Sequence, residues 1–268
     1  MTTRHATHTD DTDAAPPDPE RRLAVVTGAS RGLGRALAGA LGRAGWDLVL
    51  DARTEGDLLA TVDEVRRSGS TGTVRAVVGD VTDADHRRWL AETAAEIGPV
   101  ALLVNNASTL GPSPLPRLVD LAPGELAELL EVNTVAPLAM FQALAPHLAP
   151  DATVVNVTSD ASVGAWEGWG GYGLSKAALD HLSAVLAVEH PDLAVHAIDP
   201  GDLRTAMHQA AYPGEDISDR PLPEAVVDDL VALVEARPPS GRHRLADWAA
   251  THEPSPGEAP TDGREVAA

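Results

Sequence analysis

Six short aliphatic runs, each followed by a segment of different periodicity, limit what this chain can fold into more than any other feature. Residues 23–26, 48–50, 74–78, 100–104, 153–157 and 193–198 are rich in Val, Leu, Ile and Ala and read as strands. Helical spacing follows at residues 34–44, 55–68, 83–97 and 124–148, and in a segment through Tyr172 to about Glu189. Strands that alternate with helices need crossover connections, which are right-handed and lay helices over both faces of a parallel sheet. The expectation is an α/β doubly wound sheet of six to seven strands, the seventh a short run after Pro238 and Pro239. Ligands in such folds sit beyond the carboxyl ends of the strands.

The pattern runs from about Arg21 to Thr251 with no linker, which predicts one domain over residues 21–251. Residues 1–20 are rich in Thr, Asp and Pro, and residues 252–268 in Pro and Gly, so both ends are expected to be disordered tails. The net charge of −20 opposes nucleic acid and anionic membranes as partners. No apolar run approaches the roughly 20 residues that span a bilayer, and the N-terminus lacks a signal-peptide core, so a cytoplasmic location is expected. The chain has no cysteine, and its ten histidines show no ligand spacing, so no metal site is predicted.

The segment Thr27-Gly28-Ala29-Ser30-Arg31-Gly32-Leu33-Gly34 closes the first strand and opens a helix. Glycines there let the backbone approach a pyrophosphate, which meets the helix N-terminus. A second constellation is Tyr172-Gly173-Leu174-Ser175-Lys176. On a helix its phenol and ammonium share one face. A cation beside a phenol favours the phenolate, so the pair is expected to lower the phenol's pKa and to exchange protons with a substrate oxygen. Lys176 is the only lysine of the chain, which marks a site where a compact ammonium, not a guanidinium, is required.

These motifs, with Asn105-Asn106-Ala107, Asn133 and Ser159 in the same order and spacing, resemble the short-chain dehydrogenase/reductase family over about Leu23 to Thr205. The resemblance implies a Rossmann-type fold and hydride transfer between a nicotinamide and a carbonyl or alcohol. It implies Tyr172 as acid/base and Ser159 as the group that orients the substrate oxygen. Lys176 is implied to tune the phenol and bond the nicotinamide ribose, and Asn133 to hold a water that links Lys176 to solvent. For the cofactor it implies Gly28, Ser30, Arg31, Gly32, Leu33 and Gly34 at the pyrophosphate, Asp80 and Val81 at the adenine, and Asn106 and Ala107 beside the glycine loop. Pro200, Gly201 and Thr205 are implied at the nicotinamide. Position 108 is Ser where the family pattern has Gly, and the usual terminal glycine-rich segment is absent.

The end of the second strand bears on cofactor choice. Ala52 takes the place of the acid that binds the ribose of NAD, and Arg53 together with Arg31 suits a 2′-phosphate, so NADP(H) is favoured. Should Asp51 face the ribose instead, NAD(H) becomes the cofactor. The substrate is a small carbonyl or alcohol of unspecified identity. Trp166 and Trp169 are candidates for an aromatic wall, Asp202 for a substrate contact or a solvated loop acid, and residues 206–223 for a mobile lid. A homodimer through the Asn133 and Tyr172 helices is expected. The rival readings are a non-enzymatic NADP-binding regulator on the same fold and a lyase or epimerase of the family's extended branch; for the latter the glycine spacing is wrong.

Overall fold

A computed structural model describes residues 21–252. The expected tails lie outside the described residues, except that His252 belongs to the last helix. The strands are β1 (Leu23–Val26), β2 (Asp47–Ala52), β3 (Val74–Val78), β4 (Val100–Asn105), β5 (Leu148–Val157), β6 (Ala194–Asp199) and β7 (Gly241–Arg244). They form one sheet in the order β3-β2-β1-β4-β5-β6-β7, and every pairing is parallel. The order reverses between β1 and β4, which opens a crevice at their carboxyl ends.

Side chains alternate along each strand, so the two faces feed two cores. Ala24, Val26, Leu102 and Val104 face α1 (Gly32–Arg43), α2 (Glu55–Arg67), α8 (Val227–Ala236) and α9 (Leu245–His252). Val25, Val100 and Leu103 face α3 (Ala84–Ile97), α5 (Ala136–Leu144) and α6 (Gly170–Glu189). Leu37, Leu102 and Leu103 are fully buried; truncating one such leucine to Ala costs roughly 2–5 kcal/mol.

The long helix expected over residues 124–148 is interrupted. It runs as α4 (Pro123–Leu130), a π turn at Glu131–Val135, then α5 and a 3-10 turn at Ala145–His147. Two prolines explain both changes. Pro137 has no N–H to offer the carbonyl of Asn133 four residues earlier, and its ring crowds that carbonyl. The chain widens there, and Ala136 N–H bonds Glu131 O instead. Pro146 ends the helix, and β5 starts at Leu148, five residues before the expected strand. The segment 206–223, expected as a mobile lid, begins with a short helix, α7 (Ala206–Ala211).

Candidate active site

A cavity of about 590 Å³ opens at the carboxyl ends of the strands. Its walls include the glycine loop, Arg31, Arg53, Asp80, Val81, Asn106, Ser159, Tyr172, Lys176, Pro200, Gly201 and Thr205. The residues singled out from sequence therefore converge on one space, except that Asn133 and Gly34 lie outside its lining.

At the loop, Gly28 adopts φ +66, and a Cβ there would stand 2.8 Å from Ala107 Cα. Only glycine fits this left-handed turn against the end of β4. Asn106 Nδ2 donates to Thr27 O at 2.9 Å and to Gly28 O at 3.1 Å, and Thr27 Oγ1 accepts from the N–H groups of Asn106 and Ala107 at 3.0 Å each. These bonds lock β1 to β4 across the crevice. Ser30 and Arg31 lead into α1, which begins with Gly32, Leu33 and Gly34 and whose N-terminus carries no side-chain cap and no acid in its first turn. Such an end leaves N–H groups directed at an anion.

The acids sort themselves by partner. Asp51 is buried; its carboxylate lies 2.6 Å from His86 Nε2 and accepts from Gly28 N–H at 3.3 Å. It lines the floor of the cavity and supports the glycine loop, with both oxygens already bonded. Burial pushes the Asp51 carboxyl up, against the pull of His86. Arg53 is exposed at the rim, its guanidinium 3.9 Å from Asp80. Asp80 accepts from Thr82 N–H at 2.9 Å and Thr82 Oγ at 2.8 Å. Although burial opposes it, these bonds and Arg53 hold the Asp80 carboxyl below the usual range. The cap of α3 is Asp83, which bonds Asp85 N–H at 2.7 Å, so Asp80 is free of that structural duty.

At the other end, Tyr172 and Lys176 project from one face of α6, as helix geometry requires, with Nζ 5.7 Å from the phenol ring centroid. Both are buried. Lys176 Nζ donates to Val157 O at 2.8 Å. Burial pulls the ammonium down to about 8, with Asp180 opposing. The phenol departs from expectation. Burial pushes Tyr172 well above its ordinary value; the hydroxyls of Ser108 and Ser159 bring it back only in part, and Asp199 and Asp160 add to the rise. The ammonium is spent on a backbone carbonyl, so desolvation of the phenolate wins over the cation.

Asn133 is fully buried and fully bonded. Its Nδ2 donates to Thr109 O at 2.8 Å and Ser175 Oγ at 2.9 Å; its Oδ1 accepts from Thr109 N–H at 2.9 Å and Ser108 Oγ at 3.0 Å. The side chain thus ties the π turn to α6 and to the loop after β4. Thr205 caps α7 by accepting from His208 N–H at 3.2 Å. Trp169 meets the Tyr172 ring edge-on at 5.9 Å and lines the cavity, whereas Trp166 is exposed outside it. Asp202 lies 3.8 Å from Arg220 Nε and 4.0 Å from His208 Nδ1.

A family model described as short chain dehydrogenase matches residues 22–216. The chain belongs to the short-chain dehydrogenase/reductase family. It is 31% identical over 195 residues to the short-chain dehydrogenase/reductase SDRA of Arabidopsis thaliana, covering 72% of this chain and 74% of that one. Among solved structures it resembles a protein from Pseudomonas syringae described as a short chain dehydrogenase, with TM-score 0.78 and 30% identity over 86% of this chain and 97% of that one. It also resembles the alcohol dehydrogenase of the archaeon Thermococcus sibiricus complexed with 5-hydroxy-NADP, with TM-score 0.75 and 27% identity over 84% and 96% of the two chains.

This short-chain dehydrogenase/reductase carries site residues that no sequence motif flagged. His86 holds Asp51 under the loop. Arg242, on β7, donates to Asp180 at 3.0 Å, to Ser159 O at 3.0 Å and to Asp199 at 3.3 Å. His243, also on β7 and partly buried, packs its ring 5.1 Å from that of buried His196. Partners so distant in sequence leave no local signature; only Ser108 was visible in advance, as a departure from the family's glycine.

Proposed function

We propose that this oxidoreductase is NADP(H)-dependent and interconverts a small carbonyl compound and its alcohol, with Tyr172 as acid/base. The observation that carries the reading is that Tyr172, Ser159 and Lys176 line the same cavity as the uncapped glycine loop. The cradle fits a dinucleotide. Amides at the start of α1 receive the pyrophosphate, Asp80 and Val81 the adenine, and Pro200, Gly201 and Thr205 the nicotinamide end. Arg31 and Arg53 suit a 2′-phosphate, and both oxygens of Asp51 are engaged, by His86 and by the Gly28 N–H. The 5-hydroxy-NADP bound by the related Thermococcus sibiricus alcohol dehydrogenase agrees with this preference.

When bound, the nicotinamide donates a hydride to the substrate carbon or takes one from it. The protein's own part is placement and proton transfer. Ser159 donates to the substrate oxygen and orients it. Tyr172, kept protonated by burial, delivers its proton to that oxygen in the reductive direction. Lys176, charged at neutral pH with its pKa near 8, stabilises the phenolate left behind. Asn133 fixes the π turn next to Lys176, where the carbonyl deprived of a donor by Pro137 serves proton resupply. We also assign a cytoplasmic setting, checked by cell fractionation, and a homodimer. Val135 on the π turn and Leu174, Val185 and Val188 on α6 are exposed and support pairing through these helices; light scattering at monomer mass refutes it.

The test is a panel of ketones, aldehydes and quinones with NADPH, followed at the reduced-nicotinamide absorbance. Reduction by the wild type, lost in Tyr172→Phe with NADPH binding retained, is expected. A Tyr172→Phe enzyme that still turns over puts the acid elsewhere.

A further inference from the structure

One charged group in the cavity is assigned no duty by the reaction above. Asp160 follows the orienting serine directly, and its Oδ1 accepts the Ser159 hydroxyl hydrogen at 3.1 Å. The other acids near the reacting end have partners. Asp180 and Asp199 share Arg242, and Asp202 lies beside Arg220 and His208. Among the described residues no Lys, Arg or His forms an ion pair with Asp160. Its charge reaches both sides of the pocket, because it raises the phenols of Tyr172 and Tyr212 alike. Part of the cavity wall is apolar: Leu110, Trp169 and Met207 pack around Tyr172.

A serine hydroxyl has one hydrogen to donate. In this arrangement Asp160 takes it, and the carbonyl oxygen of a substrate must compete for it. A neutral substrate that wins the hydrogen leaves the exposed Asp160 carboxylate to water, with no donor from the protein. A substrate that brings its own cationic donor satisfies Asp160 and releases the hydroxyl at once. The distances define how near that donor must be. The substrate oxygen sits one hydrogen bond, about 3 Å, from Ser159 Oγ, and Asp160 lies 3.1 Å beyond it. An ammonium one or two carbons from the reacting carbon meets both.

We propose that Asp160 is the specificity residue of this pocket, and that the substrate is an amino ketone, or the matching amino alcohol, whose apolar part lies against Leu110, Trp169 and Met207. The proposal rests on the carbonyl–alcohol reading above and adds the substrate class to it. The same carboxylate repels keto acids.

The probes are α-(methylamino)acetophenone and its uncharged isostere butyrophenone. Binding is measured by calorimetry on protein loaded with oxidised NADP, where no reduction occurs, and turnover is measured separately with NADPH. The wild type is expected to bind the amino ketone about two- to fivefold more tightly, the range of an exposed ion pair. Asp160→Asn erases that preference, lowers kcat/KM for the amino ketone by a similar factor, and raises turnover of butyrophenone, because Asn holds the Ser159 hydrogen less tightly. Equal binding of the two ketones by the wild type, or a preference that survives Asp160→Asn, overturns the proposal. The wild-type preference is read without any variant, so a poorly folded variant does not remove the test. Selective binding with no reduction of any carbonyl sinks the hydride-transfer reading alone. Reduction of both ketones without preference sinks only the role of Asp160.

Discussion

His196 makes this fold acid-sensitive by a calculable amount. It sits in β6 with no exposed surface, and neither ring nitrogen has a hydrogen-bond partner. Its nearest ring is that of His243 on β7, 5.1 Å away. Burial, with His243 and Arg237 adding to it, pulls His196 down to about 4 from 6.5. The folded state therefore prefers the neutral ring. The associated stability is complete above pH 6.5 and is lost as pH falls toward 4. At about 1.4 kcal/mol per pKa unit, the whole effect is on the order of 3 kcal/mol, and about 2 kcal/mol of it is lost between pH 7 and pH 5. That is a large part of the stability of an ordinary domain. The perturbation is His196→Leu, which keeps the volume and removes both the titration and the two unpaired nitrogens. Urea unfolding at pH 7 and pH 5 reads the outcome. The carboxylates titrate alike in both proteins and cancel, so the variant should lose about 2 kcal/mol less than the wild type across that interval. His243, also pulled down by burial, keeps its own smaller slope in both. An equal loss in the two proteins refutes the reasoning and means that the ring is already solvated in the folded state.

Other positions give sharper readouts of the site. Arg53→Ser should raise the Michaelis constant for NADPH at least tenfold and leave that for NADH nearly unchanged; a parallel change in both removes Arg53 from the 2′-phosphate site. Arg242→Gln frees Asp180, Asp199 and the Ser159 carbonyl together. It should lower kcat with little change in NADPH affinity, and Arg242→Lys should recover part of the loss. Ser108→Gly removes a hydroxyl that lowers the Tyr172 phenol. The phenol then climbs further, and alcohol oxidation, which in the proposed mechanism needs the phenolate, should shift to higher pH; an unmoved pH profile discards the contact.

The strands and most helices could be read in advance because their signals are local. Val100 to Val104 is a strand whatever surrounds it, since an aliphatic run of that length buries both faces in a parallel sheet. Tyr172 and Lys176 share a face because four residues make about one helical turn. The π turn could have been read too: Pro137 lies four residues after Asn133, and its missing N–H forbids a regular helix there. The long start of β5 and the helix inside the expected lid were not legible, because weak local preferences yield to tertiary packing.

The sequence by itself determined the layered α/β chain, the glycine turn and the shared helix face of Tyr172 and Lys176, all set by backbone sterics and by spacing along one element. Only the folded chain decided where charges end up. It turned Asp51 inward to His86, brought Arg242 from the far edge of the sheet to Ser159 and Asp199, chose Trp169 over Trp166 for the wall, and raised the Tyr172 phenol instead of lowering it. Those outcomes depend on desolvation and on partners 35 to 83 residues away along the chain, and such distances close only when the sheet has formed.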